Sequence, residues 1–89
     1  MKAIITVLGY DKEGIIAAVS GLLYRHGVNI LDISQTILSG YFTMVALVDL
    51  TKMELTYQQM LEALTAEGER LGLEIRMQRS EIFDAMHRI

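Results

Sequence analysis

Cysteine, proline and tryptophan are absent from this chain of 89 residues. Without cysteine there can be no disulfide scaffold, no thiolate metal site and no cysteine nucleophile. Without proline, glycine does the punctuating, and no linker or low-complexity stretch divides the chain. Basic residues are also few, 8 against 11 acidic, for a net charge of −3. A binder of phosphate backbones needs a basic face, so nucleic acid is not an expected partner. No apolar run approaches the roughly 18 residues of a membrane span. The opening MKAIITVLGYDKEG puts acidic residues soon after a short apolar stretch, unlike a secretory signal. The expectation is a cytoplasmic protein with no membrane partner. No Ser-His-Asp set, phosphate loop or zinc spacing occurs, and His26 and His87 stand alone. No catalytic residue, metal or cofactor is therefore expected.

What the chain does have is apolar residues, 52% of the total, enough for a folded core. A domain this short still buries only about 60–65% of its unfolded surface, which favours help from a second chain. Lys2 to Leu8, rich in Ile, Thr and Val, reads as a strand ending at Gly9. After the polar loop Tyr10-Asp11-Lys12-Glu13-Gly14, residues Ile15, Ile16, Val19, Leu22 and Leu23 fall at helical spacing, with a stop at His26-Gly27. A second strand runs from about Asn29 to Leu38, Ser39-Gly40 is a hairpin signal, and a third strand follows from Tyr41 to Leu50. Thr51 to Thr56 connects to a second helix carrying Tyr57, Met60, Leu61 and Leu64 and closing near Leu71-Gly72. In the last strand Leu73, Ile75 and Met77 point one way and Glu74, Arg76 and Gln78 the other.

The order βαββαβ implies an α+β, ferredoxin-like sandwich: a four-stranded antiparallel sheet with both helices on one face. The first and third strands are then central, and both are apolar on both faces. Two helices on one side cannot cover the other apolar face, so self-association is expected, most simply a homodimer. The competing cover is the C-terminal segment, residues 80–89. There Ser80 can cap a short amphipathic helix bearing Ile82, Phe83, Met86 and Ile89. The expected organisation is thus a domain over 1–79 and a helical tail over 80–89.

Two places could hold a ligand. At Asp11-Lys12-Glu13-Gly14-Ile15, Asp11 either caps the first helix or belongs to a site where Gly14 lets an anion approach the helix N–H groups. Lys12 could neutralise such an anion. In Gly27-Val28-Asn29-Ile30, Asn29 either serves the turn or offers its amide to a ligand. The helix carries the chain from one end of the sheet to the other, so a pocket shared by Gly14 and Asn29 requires a partner chain. On the second strand Asp32, Ser34 and Thr36 mark a polar face, while Gln35 interrupts an apolar face of Leu31, Ile33 and Ile37.

Residues sort the families that share this topology. A copper chaperone needs cysteines, and an acylphosphatase-like enzyme needs an arginine in the first loop. An RNA-recognition module needs aromatics along its central strands. This chain has no cysteine, no arginine between Tyr10 and Glu13, no aromatic in the first strand as read, and only Tyr41 and Phe42 at the entry of the third. The stretch AIITVLGYDKEGIIAAVSGLL, with its D-x-x-G step into the helix, followed by HGVNILDISQTI, resembles an ACT domain over essentially the whole chain. The stretches NILDISQTIL and YFTMVALVDL are similar to short stand-alone ACT proteins of bacteria and archaea, and to the ACT repeats of glycine-cleavage-system regulators. The resemblance implies a non-enzymatic, commonly dimeric regulatory module that binds a small amino acid or related metabolite at a subunit interface, or regulates a partner enzyme or other protein. It places the ligand at Asp11, Gly14, Asn29 and Ile30. Where many amino-acid-responsive members have proline before the glycine, this chain has Glu13, whose carboxylate opposes that of a ligand.

Overall fold

Alternation builds the sheet. In β1 (Lys2–Tyr10), Ala3, Ile5 and Val7 are fully buried while their neighbours are more accessible, the pattern of a strand with one face in a core. β3 (Tyr41–Asp49) repeats it with Phe42, Met44, Ala46 and Val48, and β4 (Glu74–Arg79) with Ile75 and Met77. With α1 (Ile15–Arg25), β2 (Asn29–Leu38) and α2 (Tyr57–Leu71), the computed structural model, which describes residues 1–81, has the order βαββαβ. The sheet is antiparallel in the order β2-β3-β1-β4, so β1 and β3 are central and β2 and β4 are edges, as the sequence implies. Part of the expected tail, from Ile82 to Ile89, lies outside the described residues.

The core lies between the helices and one face of the sheet. Val19 and Leu23 of α1 and Met60 and Leu64 of α2 are fully buried against Ile5, Val7, Met44 and Val48. Burying side chains of this size contributes about 1.5–3 kcal/mol each, the main favourable contribution in so small a domain. The opposite face carries Ile4, Leu8, Tyr10, Tyr41, Val45 and Leu47, most of them exposed, with the Tyr10 and Tyr41 rings stacked at 5.0 Å.

Three local outcomes differ from the sequence expectation. β1 does not stop at Gly9 but continues to Tyr10, pairing Gly9 with Phe42 and Tyr10 with Tyr41. Gly9 packs closely there: a Cβ would come within 2.5 Å of the Leu73 Cδ2 atom and 3.3 Å of the Gly72 carbonyl oxygen. β2 carries a bulge between Ile30 and Asp32, so strict alternation fails. Ile30, Ile33, Gln35 and Ile37 therefore stand opposite buried Val48, Ala46, Met44 and Phe42 on the helix side, and Leu31 drops out of that row. Finally, Thr56 does more than end a connection. Its hydroxyl accepts from the Gln59 N–H at 3.1 Å while the Gln59 side chain accepts from the Thr56 N–H at 2.9 Å, a capping box that starts α2. Such a cap contributes about 1 kcal/mol.

α1 ends as expected. His26 donates its N–H to the Leu23 carbonyl, and Gly27 follows at φ 75°. A side chain at Gly27 would meet the Lys52 carbonyl oxygen at 2.5 Å, so the chain here needs both a left-handed backbone and no Cβ. Gly14 has the same handedness, φ 83°, but open space around it. Gly27→Ala is therefore expected to lose about 2 kcal/mol or more of stability and Gly14→Ala only about 1, since the second carries backbone strain alone. Chemical denaturation of both variants measures the difference; equal losses would remove the close contact as the cause.

Candidate functional site

α1 begins without a side-chain cap. Gly14 occupies the capping position in the left-handed conformation, and Asp11 is not the cap that the sequence allows. Asp11 is turned to the hairpin instead, its N–H donating to the Gly40 carbonyl at 2.9 Å. The first-turn N–H groups of α1 thus have no side-chain acceptor, and the positive end of the helix dipole faces outward. Beside it lies a cleft of about 570 Å³ between the start of α1 and β2, lined by Asp11, Gly14, Ile15, Gln35, Ile37 and Phe42 among others. Its lining is mostly apolar, with Ile15, Ile37 and Phe42, and includes Asp11, Gln35 and the uncapped helix start.

Lys12 also lines this cleft, yet its ammonium donates to the Leu71 carbonyl at the C-terminal end of α2. That carbonyl is one of those an ending helix leaves without an intrahelical partner, and a cation is favoured beside it. Lys12 therefore ties the first loop to α2 rather than standing free to neutralise an anion.

Asn29 and Ile30 are at the far end of the sheet. Asn29 pairs with Asp49, which also pairs with Lys2, whereas Asp11 follows Tyr10 at the other end of the same strand pair. About nine strand residues intervene, on the order of 30 Å. Asn29 is exposed and extended in β2, not in a turn, and Ile30 packs half-buried against the core. Here a second hollow of about 490 Å³ is lined by Gly27, Asn29, Asp49, Thr51 and Lys52. The Asp49 carboxylate accepts from the Thr51 hydroxyl at 2.5 Å and the Thr51 N–H at 2.9 Å, with the amino terminus 4.0 Å away. The bonds from Thr51, the hydroxyl first, hold the Asp49 carboxyl below the usual carboxylate range. Of the four expected site residues, one chain brings Asp11 and Gly14 together and Asn29 and Ile30 together, but does not join the pairs. Gln35, Ile37 and Phe42 in the first hollow, and Asp49, Thr51 and Lys52 in the second, were not expected as ligand contacts.

Among the described residues, no three His, Asp or Glu side chains gather as a metal site would need, and no helix is long and apolar enough to cross a membrane.

Residues 2–78 match the model of the ACT domain. The chain belongs to the ACT domain family. ACT domains are regulatory ligand-binding modules, which accords with two hollows set beside backbone edges and helix ends. Among its relatives, the UPF0237 protein of Bifidobacterium longum is 51% identical over 88 residues, covering 99% of this chain and 98% of the other. An ACT domain protein from Streptococcus pneumoniae has the same fold at a TM-score of 0.83, with 46% identity and 98% of each chain covered. The chain is also similar to a putative glycine cleavage system transcriptional repressor, at a TM-score of 0.73 and 26% identity over 88% of this chain and 44% of that one.

The Asp49 bonds make a pH prediction. A carboxyl held low in the folded state adds stability that is complete above its unfolded value and lost as pH falls through the folded one. Thr51→Val, which removes the hydroxyl donor, should raise the Asp49 titration toward the ordinary range and weaken the acid dependence of stability. Carboxyl-carbon NMR titration reads this directly; an unmoved Asp49 would show that the hydroxyl bond is not its cause.

Proposed function

We propose that this ACT domain works as a homodimeric, non-catalytic sensor in the cytoplasm, binding a small amino acid or related metabolite at pockets completed by both chains. The supporting observation is the pairing of half-sites with an edge. Asp11 and Gly14 lie at one end of β2 and Asn29 and Ile30 at the other, and β2 itself is an uncovered edge. Its ten residues are exposed or half-exposed, Leu31, Ile33, Ile37 and Leu38 among them. A long edge with apolar side chains and no proline is a template for another strand. Antiparallel pairing of two β2 strands about a two-fold axis near their middle sets Asn29 of one copy opposite Leu38 of the other. That carries the Asn29 and Ile30 end of each copy to the Asp11 and Gly14 cleft of its neighbour, and the sheet grows to eight strands. α1 supports the same contact: its accessible side offers Ile16, Ala17, Ser20, Gly21 and Tyr24, with no charge before Arg25.

The pocket so formed suits a zwitterion. The uncapped start of α1 favours a carboxylate, and Asp11 of one copy and Asp49 of the other favour an ammonium. Ile15, Ile37 and Phe42 give a small side chain an apolar floor. Glu13, exposed beside the carboxylate position, weakens the attraction and favours a ligand of modest negative charge.

The edge can be tested without harming the ladder. The Ile33 N–H is accepted by the Asp32 carboxylate at 2.9 Å, so it points away from β3, and by alternation so does that of Gln35. Gln35→Pro therefore removes an outward donor and keeps the bonds to β3. Sedimentation should show the parent at about twice its 10.0 kDa chain mass and the variant shifted to monomer. A parent that sediments as a monomer at micromolar concentration ends the proposal. For the ligand, a thermal-denaturation screen of the twenty amino acids should find one that stabilises by about 2.7 kcal/mol at one hundred times its Kd. No response from any of them, with an intact dimer, would favour a second reading. In that reading the β2 edge or the open sheet face binds a regulated enzyme or other protein, and a stoichiometric partner co-purifies.

A further inference from the structure

On the reading that the cleft beside α1 holds an amino acid, we infer that Gln35 is the residue that reads its side chain. Its amide selects a ligand whose side chain is neutral and hydrogen-bonding, a hydroxyl or a carboxamide.

Gln35 is the polar exception in an apolar row. Past the bulge of β2, Ile33, Gln35 and Ile37 stand on the helix side, opposite buried Ala46, Met44 and Phe42. Ile33 and Ile37 extend the core outward, whereas Gln35 puts a carboxamide into the wall of the cleft, beside Ile15, Ile37 and Phe42. The other polar residues of the lining are placed differently. Thr36 is also there, but alternation sends its side chain to the open face of the sheet. The Lys12 ammonium is held by the Leu71 carbonyl, and Asp11 belongs to the first loop. Among the described residues of the cleft, Gln35 is thus the one neutral polar side chain on the helix side.

In the single chain Gln35 is exposed, and water satisfies its amide. A second β2 strand and a ligand in the cleft displace that water. A carboxamide then left without partners is costly, so a ligand that brings a matching group is favoured over one of the same shape that lacks it. Shape by itself selects little here. A hollow of about 570 Å³ is roomy for an amino acid, and an apolar wall separates threonine from valine only weakly. Charge narrows the choice further. An acidic side chain meets the carboxylates of Asp11 and Glu13. A basic one loses its hydration beside Ile15, Ile37 and Phe42 for a single neutral acceptor. An amide both donates and accepts, which suits a hydroxyl or another amide. The rival role for Gln35 lies near the two-fold axis of the proposed dimer, where the amides of two copies could pair with each other.

Calorimetric titration of the full chain with two pairs of similar shape, threonine with valine and asparagine with leucine, tests this. In at least one pair the parent should bind the polar member about tenfold more tightly. Gln35→Met, which keeps length and removes the amide, should bring that ratio close to one, and Gln35→Leu is a second variant. Sedimentation follows the dimer in each. A ratio that the substitutions leave unchanged overturns the inference, and a weakened dimer alongside it assigns the amides to each other across the axis. A parent that prefers an apolar or charged amino acid overturns it as well, while the amino-acid reading stands. If the parent binds no amino acid, that reading fails and the role of Gln35 fails with it.

Discussion

Two central strands that are apolar on both faces, set against helices on only one, impose most of what is unusual about this domain. β1 sends Ala3, Ile5 and Val7 into the core and Ile4 and Leu8 to the other side; β3 does the same with Met44, Ala46 and Val48 against Val45 and Leu47. The helix side closes well, with Val19, Leu23, Met60 and Leu64 fully buried. The other side and the β2 edge do not. A domain of this size gains too little from one small core to leave such surface without consequence. The open sheet face and the uncovered β2 edge follow from that imbalance more directly than from any polar group.

The same imbalance explains where the binding features sit. No side chain caps α1, and the cleft beside it has an apolar floor and few polar groups. Polarity is concentrated at the two ends of β2, in Asp11 and Gln35 at one and Asn29 and Asp49 at the other. In the proposed dimer, each cleft at the start of α1 would meet the Asn29 end of the neighbouring copy.

Topology was legible because alternation and helical spacing were clean in β1, β3, β4 and both helices, and because Ser39-Gly40 adopts the positive backbone angles of a tight hairpin. Errors arose where one residue type serves two purposes. Gly9 looks locally like a strand end, yet it stays in the ladder opposite Phe42 and packs beside Leu73, a residue distant in sequence. The bulge at Leu31 shifts which β2 side chains face the helices, and a period-two reading has no way to register it. The box at Thr56 and Gln59 is a T-x-x-Q pattern, visible in the sequence itself. At the candidate site, D-x-x-G marks the loop that opens α1 and lines the cleft beside it. The roles of Asp11 and Lys12 depend on Gly40 and Leu71, contacts set by the fold rather than by neighbours in the chain. Gln35, Ile37 and Phe42 reach the cleft from the hairpin, which no local motif reveals.

The separation of Asp11 from Asn29 has a quantitative corollary. In the proposed dimer, a pocket drawing on both chains would link occupancy and assembly in one equilibrium, because a ligand held by both copies deepens pairing. Under that linkage the amount of the protein would become an input alongside the metabolite. A scarce chain would answer only to abundant ligand, whereas an overproduced one would respond at lower levels of the same compound.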